Sequence, residues 1–131
     1  PKNIFKGLIQ PTDRFDLTLC NPPFYKSEEE ARKTSQRKVS NLKLKGKPAL
    51  RNFGGQHNEL WCEGGEGWFV AETIRQSVEF ASQCKWFTTL VSKGSNLKMI
   101  EEKLQKAGVA AYQMIPMGQG QKISRIVAWR F

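Results

Sequence analysis

The sequence predicts an open α/β sheet that is mostly parallel and has one antiparallel strand near its edge. Two observations predict this fold class. From about residue 67 onward, segments with apolar residues at helical spacing alternate with short segments rich in aromatic and β-branched residues. The last two strand-like segments are separated only by Gly118-Gln119-Gly120, which is typical of a hairpin and so of antiparallel pairing.

The elements of the second half follow from these patterns. Residues 67–85 predict a helix, and residues 86–91 predict a buried strand. Ser95 or Asn96 is a natural N-cap for a second helix, which Gly108 would end. The closing hairpin is expected from two further strands, at residues 109–115 and 122–131.

The first half is less regular. Residues 15–20 predict a strand that must stop at Asn21-Pro22-Pro23-Phe24, because neither proline can donate to a sheet ladder. Ser27, followed by three glutamates, resembles an N-cap with an acidic first turn, and it predicts a short helix toward Thr34. Residues 35–67 show no sustained periodicity and predict a long loop.

Composition narrows the class of protein. The 131 residues are 39% hydrophobic and 25% charged, which is typical of one globular domain or part of one. The 21 lysines and arginines exceed the 12 acidic residues by nine, so a polyanionic partner is expected. No apolar run is long enough for a membrane helix, and the start at Pro1 has no apolar leader. We therefore expect a cytoplasmic piece of a longer protein.

Metal binding is not expected. Cys20, Cys62 and Cys84 form no close pair, and His57 is the single histidine, so no cluster has the spacing of a metal site. The same scarcity disfavours catalysis by a histidine base next to a nucleophile.

The segment Asn21-Pro22-Pro23-Phe24 has the clearest chemical meaning. It follows the carboxyl end of a predicted strand, where ligands bind in open α/β sheets. The Asn21 side-chain oxygen and the Pro22 carbonyl could each accept a hydrogen of an amine attached to a planar ring. Pro23 would shape the turn, and Phe24 would stack on the ring.

Two such hydrogen bonds would favour a pyramidal amine whose lone pair faces an electrophile. The methyl sulfonium of S-adenosylmethionine fits that position, and the transfer needs positioning more than acid–base groups. The alternative interpretation is a turn that merely ends the strand, because four-residue motifs also occur by chance.

Residues 15–24 resemble motif IV of the amino-group methyltransferases that act on adenine, cytosine or glutamine amides. Four further segments resemble one family of these enzymes, the RlmF-type methyltransferases, which modify adenine N6 in large-subunit ribosomal RNA. They are Asn52-Phe53-Gly54-Gly55-Gln56, Glu59-Leu60-Trp61-Cys62-Glu63-Gly64-Gly65-Glu66, residues 86–92 and residues 118–125.

The resemblance implies a Rossmann-like sheet in which residues 15–20 form the fourth strand. Residues 1–131 would then be the C-terminal part of a methyltransferase domain that uses S-adenosylmethionine. The family's glycine-rich loop and acidic cofactor residue lie outside this part, and Gly118-x-Gly120 precedes a strand rather than a helix. We therefore expect the fragment alone to be inactive.

A basic segment follows the motif. Residues 26–51 contain nine lysines and arginines against three glutamates, a net charge of +6. We predict a basic loop insertion at about 26–66 that contacts an RNA backbone, with Lys43, Lys45 and Lys47 among the substrate-binding residues. The alternative is a solvated charged loop.

Paired glycines mark a second candidate region. Asn52, Gly54 and Gly55, together with Glu63, could form the rim of an adenine pocket, since glycine lets the backbone approach a ligand closely. Glu63 or Glu66 could orient the amine or a ribose. Two ordinary tight turns are an equally good interpretation.

The sequence thus predicts a methyltransferase that acts on adenine N6 of ribosomal RNA, in an unstacked or loop context. Asn21, Pro22, Pro23 and Phe24 are its candidate catalytic residues. Two alternatives remain open, namely the same chemistry on DNA adenine or protein glutamine, and an RNA-binding module without catalysis.

Overall fold

A computed structural model describes residues 3–23, 25–44 and 61–131. Two short 3₁₀ turns lie a few residues before and after the second strand, at Val78–Phe80 and Gly94–Asn96. Among the described residues, no helix is both long and apolar enough to span a bilayer. The strands and helices are β1 Phe15–Thr18, α1 Glu28–Leu44, α2 Gly65–Ser77, β2 Cys84–Val91, α3 Leu97–Ala107, β3 Ala111–Gln119 and β4 Lys122–Arg130.

The four strands form one sheet in the order β1-β2-β4-β3. β1 pairs with β2 in parallel, with Leu17 opposite Trp86. β4 runs antiparallel to both of its neighbours, so β1, β2 and β3 all point in one direction. The prediction of a mostly parallel sheet with one antiparallel strand next to its edge is confirmed. β1, β2 and β3 therefore present their carboxyl ends at one edge, which we call the carboxyl edge.

The core lies between one face of the sheet and helices α2 and α3. Phe87 and Trp129 stack with ring centroids 5.9 Å apart, and both are fully buried. The Trp129 indole donates to the Ser77 hydroxyl across 3.0 Å, so its polar atom is satisfied inside the core. Buried aliphatic side chains fill the rest of this layer, namely Val70, Ile74, Val91, Ile100, Leu104 and Val127.

The helix ends follow the local sequence in part. Gly108 ends α3 in the left-handed conformation with φ of 76°, as predicted. Asn96 is the N-cap of α3, but its side chain makes no capping bond and turns instead to Glu66. A 3₁₀ turn before α3 takes the place of the side-chain cap.

Several predicted boundaries were wrong. α1 continues to Leu44, ten residues beyond Thr34, so the expected loop is helical in its first part. Residues 28–44 contain no glycine or proline, and their Lys, Arg, Gln and Leu are good helix formers even without an apolar stripe. The helix predicted at 67–85 begins at Gly65 and ends at Ser77, because β2 already starts at Cys84. The first strand ends at Thr18 rather than Cys20.

Candidate functional site

Hydrogen bonds to β2 fix the chain just before the proline motif. The Thr88 hydroxyl donates to the Thr18 carbonyl at 2.6 Å, and the Leu90 amide donates to the Cys20 carbonyl at 2.8 Å. The chain therefore follows β2 for two residues beyond the strand proper, and Asn21 leaves it at the carboxyl edge.

The motif itself divides into an exposed residue and two buried ones. Asn21 is exposed, whereas Pro22 and Pro23 are buried. Within the described part of the chain, the Asn21 side-chain amide makes no hydrogen bond. Phe24 lies outside the described residues. The amide thus projects from a backbone whose rigidity comes from two packed prolines.

The chain after the motif is anchored on a second segment. Tyr25 forms a parallel bridge with Trp61, and the Cys62 amide donates to the Tyr25 carbonyl at 3.0 Å. These contacts bring the glycine pair that begins α2 next to the motif, although the two segments are about forty residues apart in the sequence.

A tight turn carries Glu63 beside this anchor. The Gly65 amide donates to the Cys62 carbonyl at 2.9 Å, and Gly65 has φ of 65°. A Cβ at Gly65 would lie 2.9 Å from Cγ of Lys26, so both the conformation and the close approach require glycine here. Glu63 and Gly64 are exposed at the tip of this turn. Glu63 is thereby placed near the motif, and its role stays a prediction.

Glu66 has a different position from the one expected of a substrate ligand. It is 1% exposed, and its two oxygens accept from the Ser92 amide at 2.9 Å, the Lys93 amide at 3.1 Å and the Asn96 side chain at 3.0 Å, as well as from the Ser92 hydroxyl. Burial alone would raise the pKa of this carboxyl, but these hydrogen bonds hold the pKa below its ordinary value.

All four acceptor positions of Glu66 are therefore used inside the protein, and the idea that it orients the amine or a ribose was wrong. It clamps the first turn of α2 to the loop that follows β2. Sequence reasoning missed this role because the partners lie 26 to 30 residues away. An acidic residue flanked by glycines gives no local sign of them.

The cysteines supply no nucleophile. Burial raises the pKa of the thiols of Cys20, Cys62 and Cys84 above their ordinary value of 9.0. The thiols are therefore protonated near neutral pH, and a thiolate mechanism is disfavoured. Among the described residues, the arrangement at the carboxyl edge thus suits positioning of a ligand rather than covalent catalysis.

α1 starts directly beside the motif. The Ser27 hydroxyl accepts from the Glu30 amide at 3.2 Å, and Glu30 in turn accepts from the Lys26 amide at 2.9 Å, which closes a capping box displaced by one residue. Arg32, Lys33 and Arg37 are exposed along the helix, and Lys33 pairs with Glu29 at 2.8 Å.

Several predicted site residues lie outside the described residues. They are Phe24, Lys45, Lys47, Asn52, Gly54 and Gly55. For Lys43 the structure gives only the helical backbone of α1. The roles predicted for these seven residues stay predictions.

Comparison with known proteins shows the family. A family profile described as RNA methyltransferase matches residues 1–131. The chain belongs to this family. Ribosomal RNA large subunit methyltransferase F of Pseudomonas entomophila is 58% identical over 134 residues, which cover 100% of this chain and 42% of that protein. The chain thus spans less than half the length of this relative.

Solved structures agree with the fold. The human Mettl16 catalytic domain in complex with MAT2A 3′UTR hairpin 1 matches with a TM-score of 0.71 and 28% identity, over 93% of this chain and 41% of that one. The N-terminal domain of human METTL16 in complex with SAH matches with a TM-score of 0.60 and 21% identity, over 94% and 36%. The sheet of this chain is therefore part of a Rossmann-like methyltransferase fold.

The Gly118-x-Gly120 pattern forms no cofactor-binding loop. Gly118 lies in β3 opposite Ile123, and Gly120, with φ of 63°, lies in the turn that leads to β4, so neither glycine opens a helix. A phosphate- or ribose-binding loop of the Rossmann kind needs a strand, a glycine turn and a helix in that order.

Proposed function

We propose that this chain forms the acceptor side of the active site of an RNA methyltransferase that transfers a methyl group from S-adenosylmethionine to N6 of adenine in large-subunit ribosomal RNA. The observation that supports it most directly is Asn21, exposed with an unused amide at the carboxyl edge and followed by two buried prolines. Membership of the RNA methyltransferase family supports the reaction class.

Positioning of the amine explains how these residues would act. The Asn21 side-chain oxygen accepts one hydrogen of the adenine amine, and the Pro22 carbonyl accepts the other. Both bonds favour a tetrahedral nitrogen, whose lone pair is then free of the ring. Phe24 stacks on the purine face, and Pro23 keeps the turn rigid. The residues thus lower the barrier by orientation.

The cofactor, when bound, supplies the electrophilic methyl group. A bond forms between the amine nitrogen and the methyl carbon, while the methyl–sulfur bond breaks and leaves its electron pair on sulfur. The extra amine proton then passes to water. No described residue has to change its charge during the transfer, which agrees with a site that lacks an ionisable nucleophile.

The charge distribution supports RNA as the acceptor. The chain carries nine net positive charges, and Arg32, Lys33 and Arg37 are exposed on the helix that begins six residues after Pro22. Cations beside a site that takes an unstacked base would neutralise the flanking phosphates. We infer that Lys43, Lys45 and Lys47 extend this contact and that Asn52, Gly54, Gly55 and Glu63 border the adenine.

The decisive test is methyl transfer by the complete gene product that contains this chain. RNA from a strain that lacks the gene is incubated with labelled S-adenosylmethionine, and the methylated nucleoside is identified by mass spectrometry. We expect N6-methyladenosine in large-subunit ribosomal RNA. Asn21→Ala is expected to lower kcat about 100-fold or more while the Kd for RNA stays within about twofold.

Asn3→Ala is the matched control, because Asn3 is also exposed but lies far along the chain from the motif. It should leave both kcat and Kd unchanged. Near-normal turnover by Asn21→Ala would remove the proposed role of the amide. Transfer to DNA or to a glutamine peptide in preference to RNA would overturn the substrate, and RNA binding without any transfer would favour a non-catalytic module.

A further inference from the structure

The guanidinium of Arg125 has an unusual environment. Its Nη1 is buried and has no hydrogen-bond partner among the described residues. Its Nη2 donates only to the Ile123 carbonyl, at the long distance of 3.5 Å. Buried donors on a charged group are normally satisfied, because an unpaired one costs free energy. Arg125 therefore has N–H donors that no described residue uses.

Contact with the loop after β2 explains how Arg125 is held. The guanidinium packs flat against Gly94, where a Cβ would lie 3.5 Å from Nη1 and 3.7 Å from Nη2. Gly94 begins the turn that leads into α3, whose free amides make that end of the helix electropositive. The carboxylate of Glu66 binds the same loop, but in the described chain it forms no ion pair with Arg125. No described acid therefore neutralises this arginine.

The sheet register relates Arg125 to the proline motif. Arg125 lies opposite Val91, and the adjacent Leu90 holds the chain just before Asn21. Asn21 and Arg125 thus stand at nearly the same level of the carboxyl edge, on the two strands that flank β2. Two interstrand spacings separate them, about 10 Å. One nucleotide covers such a span between the exocyclic amine of its base and its phosphate.

We propose that Arg125 is a phosphate-binding residue that grips the RNA backbone at or next to the methylated nucleotide. Arginine suits this task because its planar donors match two phosphate oxygens. Glycine at position 94 leaves no side chain beside the guanidinium, so a phosphodiester reaches Nη2 there, and it reaches the buried Nη1 once the backbone of the loop after β2 moves aside. The proposal rests on the proposed function for the identity of the polymer, and it adds a binding residue two strands away from the catalytic motif.

The test measures RNA affinity as a function of salt concentration, with the complete gene product. Arg125→Gln is expected to weaken RNA binding about tenfold at physiological salt and to reduce the slope of log K against log salt by about one unit. Arg125→Lys keeps the charge but loses the two-point contact, so we expect an intermediate Kd with a slope close to wild type. KM for RNA should rise in both variants while kcat changes little.

Arg130→Gln is the matched control. Arg130 lies on the same strand, five residues further on, where it packs over the Trp86 ring at 5.8 Å at the opposite edge of the sheet. Its replacement makes the same charge change, and it should leave the salt slope unaltered. Equal slopes for wild type, Arg125→Gln and Arg130→Gln would overturn the phosphate site, even if Kd changed.

Stability measurements keep the result interpretable if Arg125→Gln folds poorly. In that case Arg125→Lys alone decides, and an unchanged Kd and KM for a folded Arg125→Lys protein would overturn the two-point contact.

The two proposals also fail separately. A protein that binds RNA with the predicted slope change but transfers no methyl group would refute the proposed function and leave the phosphate site standing. Methylation of RNA with unaltered slopes would do the reverse.

Discussion

Replacement of Glu66 by glutamine tests whether this carboxylate is a structural clamp. Each of its oxygens accepts two hydrogen bonds: one oxygen from the amide and hydroxyl of Ser92, the other from Lys93 and Asn96. In Glu66→Gln an NH₂ group replaces one oxygen. Whichever way the amide is turned, two of the four donors lose their acceptor.

The magnitude follows from that count. A buried donor left without a partner costs about 1 to 3 kcal/mol, and the Ser92 hydroxyl has the freedom to rotate away. We therefore expect Glu66→Gln to lower the free energy of unfolding by about 3 kcal/mol. Urea titration of the complete gene product would measure it as a lower midpoint with an unchanged m-value.

The pH dependence has a definite sign. Because the folded-state pKa of Glu66 lies below its ordinary value of 4.5, its stabilisation is present above about pH 4.5 and is lost as the pH falls through the folded pKa. The difference in unfolding free energy between wild type and Glu66→Gln should therefore be constant near neutral pH and shrink in acid.

Glu63→Gln provides the control for this experiment. Glu63 is exposed three residues earlier, and among the described residues it has no hydrogen-bond partner. Its replacement should change the free energy of unfolding by less than about 0.5 kcal/mol. If Glu66→Gln were no more destabilised than Glu63→Gln, the clamp would be refuted, and the carboxylate would again be a candidate substrate ligand.

Two further predictions concern the core and a helix end. Ser77→Ala removes the acceptor of the Trp129 indole, so we expect the free energy of unfolding to fall by about 1 to 2 kcal/mol. The near-ultraviolet circular dichroism of the tryptophan should change as well, and an unchanged urea midpoint would contradict this prediction. Gly108→Ala forces a Cβ into the left-handed region with nothing within 4 Å of it, so strain alone should lower the urea midpoint, by about 1 kcal/mol; a stabilised variant would disprove the argument.

The second half of the fold was predictable because local signals and burial agree there. β2 is a short apolar run that is buried in the sheet, and Gly108 ends α3 as its position suggests. The hairpin between β3 and β4 fixes antiparallel pairing through chain connectivity alone. In such segments the periodicity, the breaker residue and the tertiary environment all favour the same structure.

The extent of α1 was not predictable from the same kind of signal. Its residues 35–44 lack an apolar stripe, so a test for periodicity finds nothing, although their intrinsic helix propensity is high. The side chain of Asn96 shows the opposite failure. Asparagine there is a typical N-cap, but its side-chain NH₂ group donates to the buried carboxylate of Glu66, and this strong hydrogen bond to a charged acceptor holds the side chain out of the capping geometry.

The position of Asn21 after a strand was predictable, but the contacts that hold the backbone before it were not. The sequence places Asn21 after a strand, yet nothing in it shows that Thr88 and Leu90 hold the two preceding carbonyl groups. Those contacts come from a strand seventy residues away. They matter for function because an amide that orients an amine must itself be fixed, and rigid backbone before and after Asn21 provides that. The sheet and the buried prolines therefore fix the backbone on both sides of Asn21, as the proposed role of its amide requires.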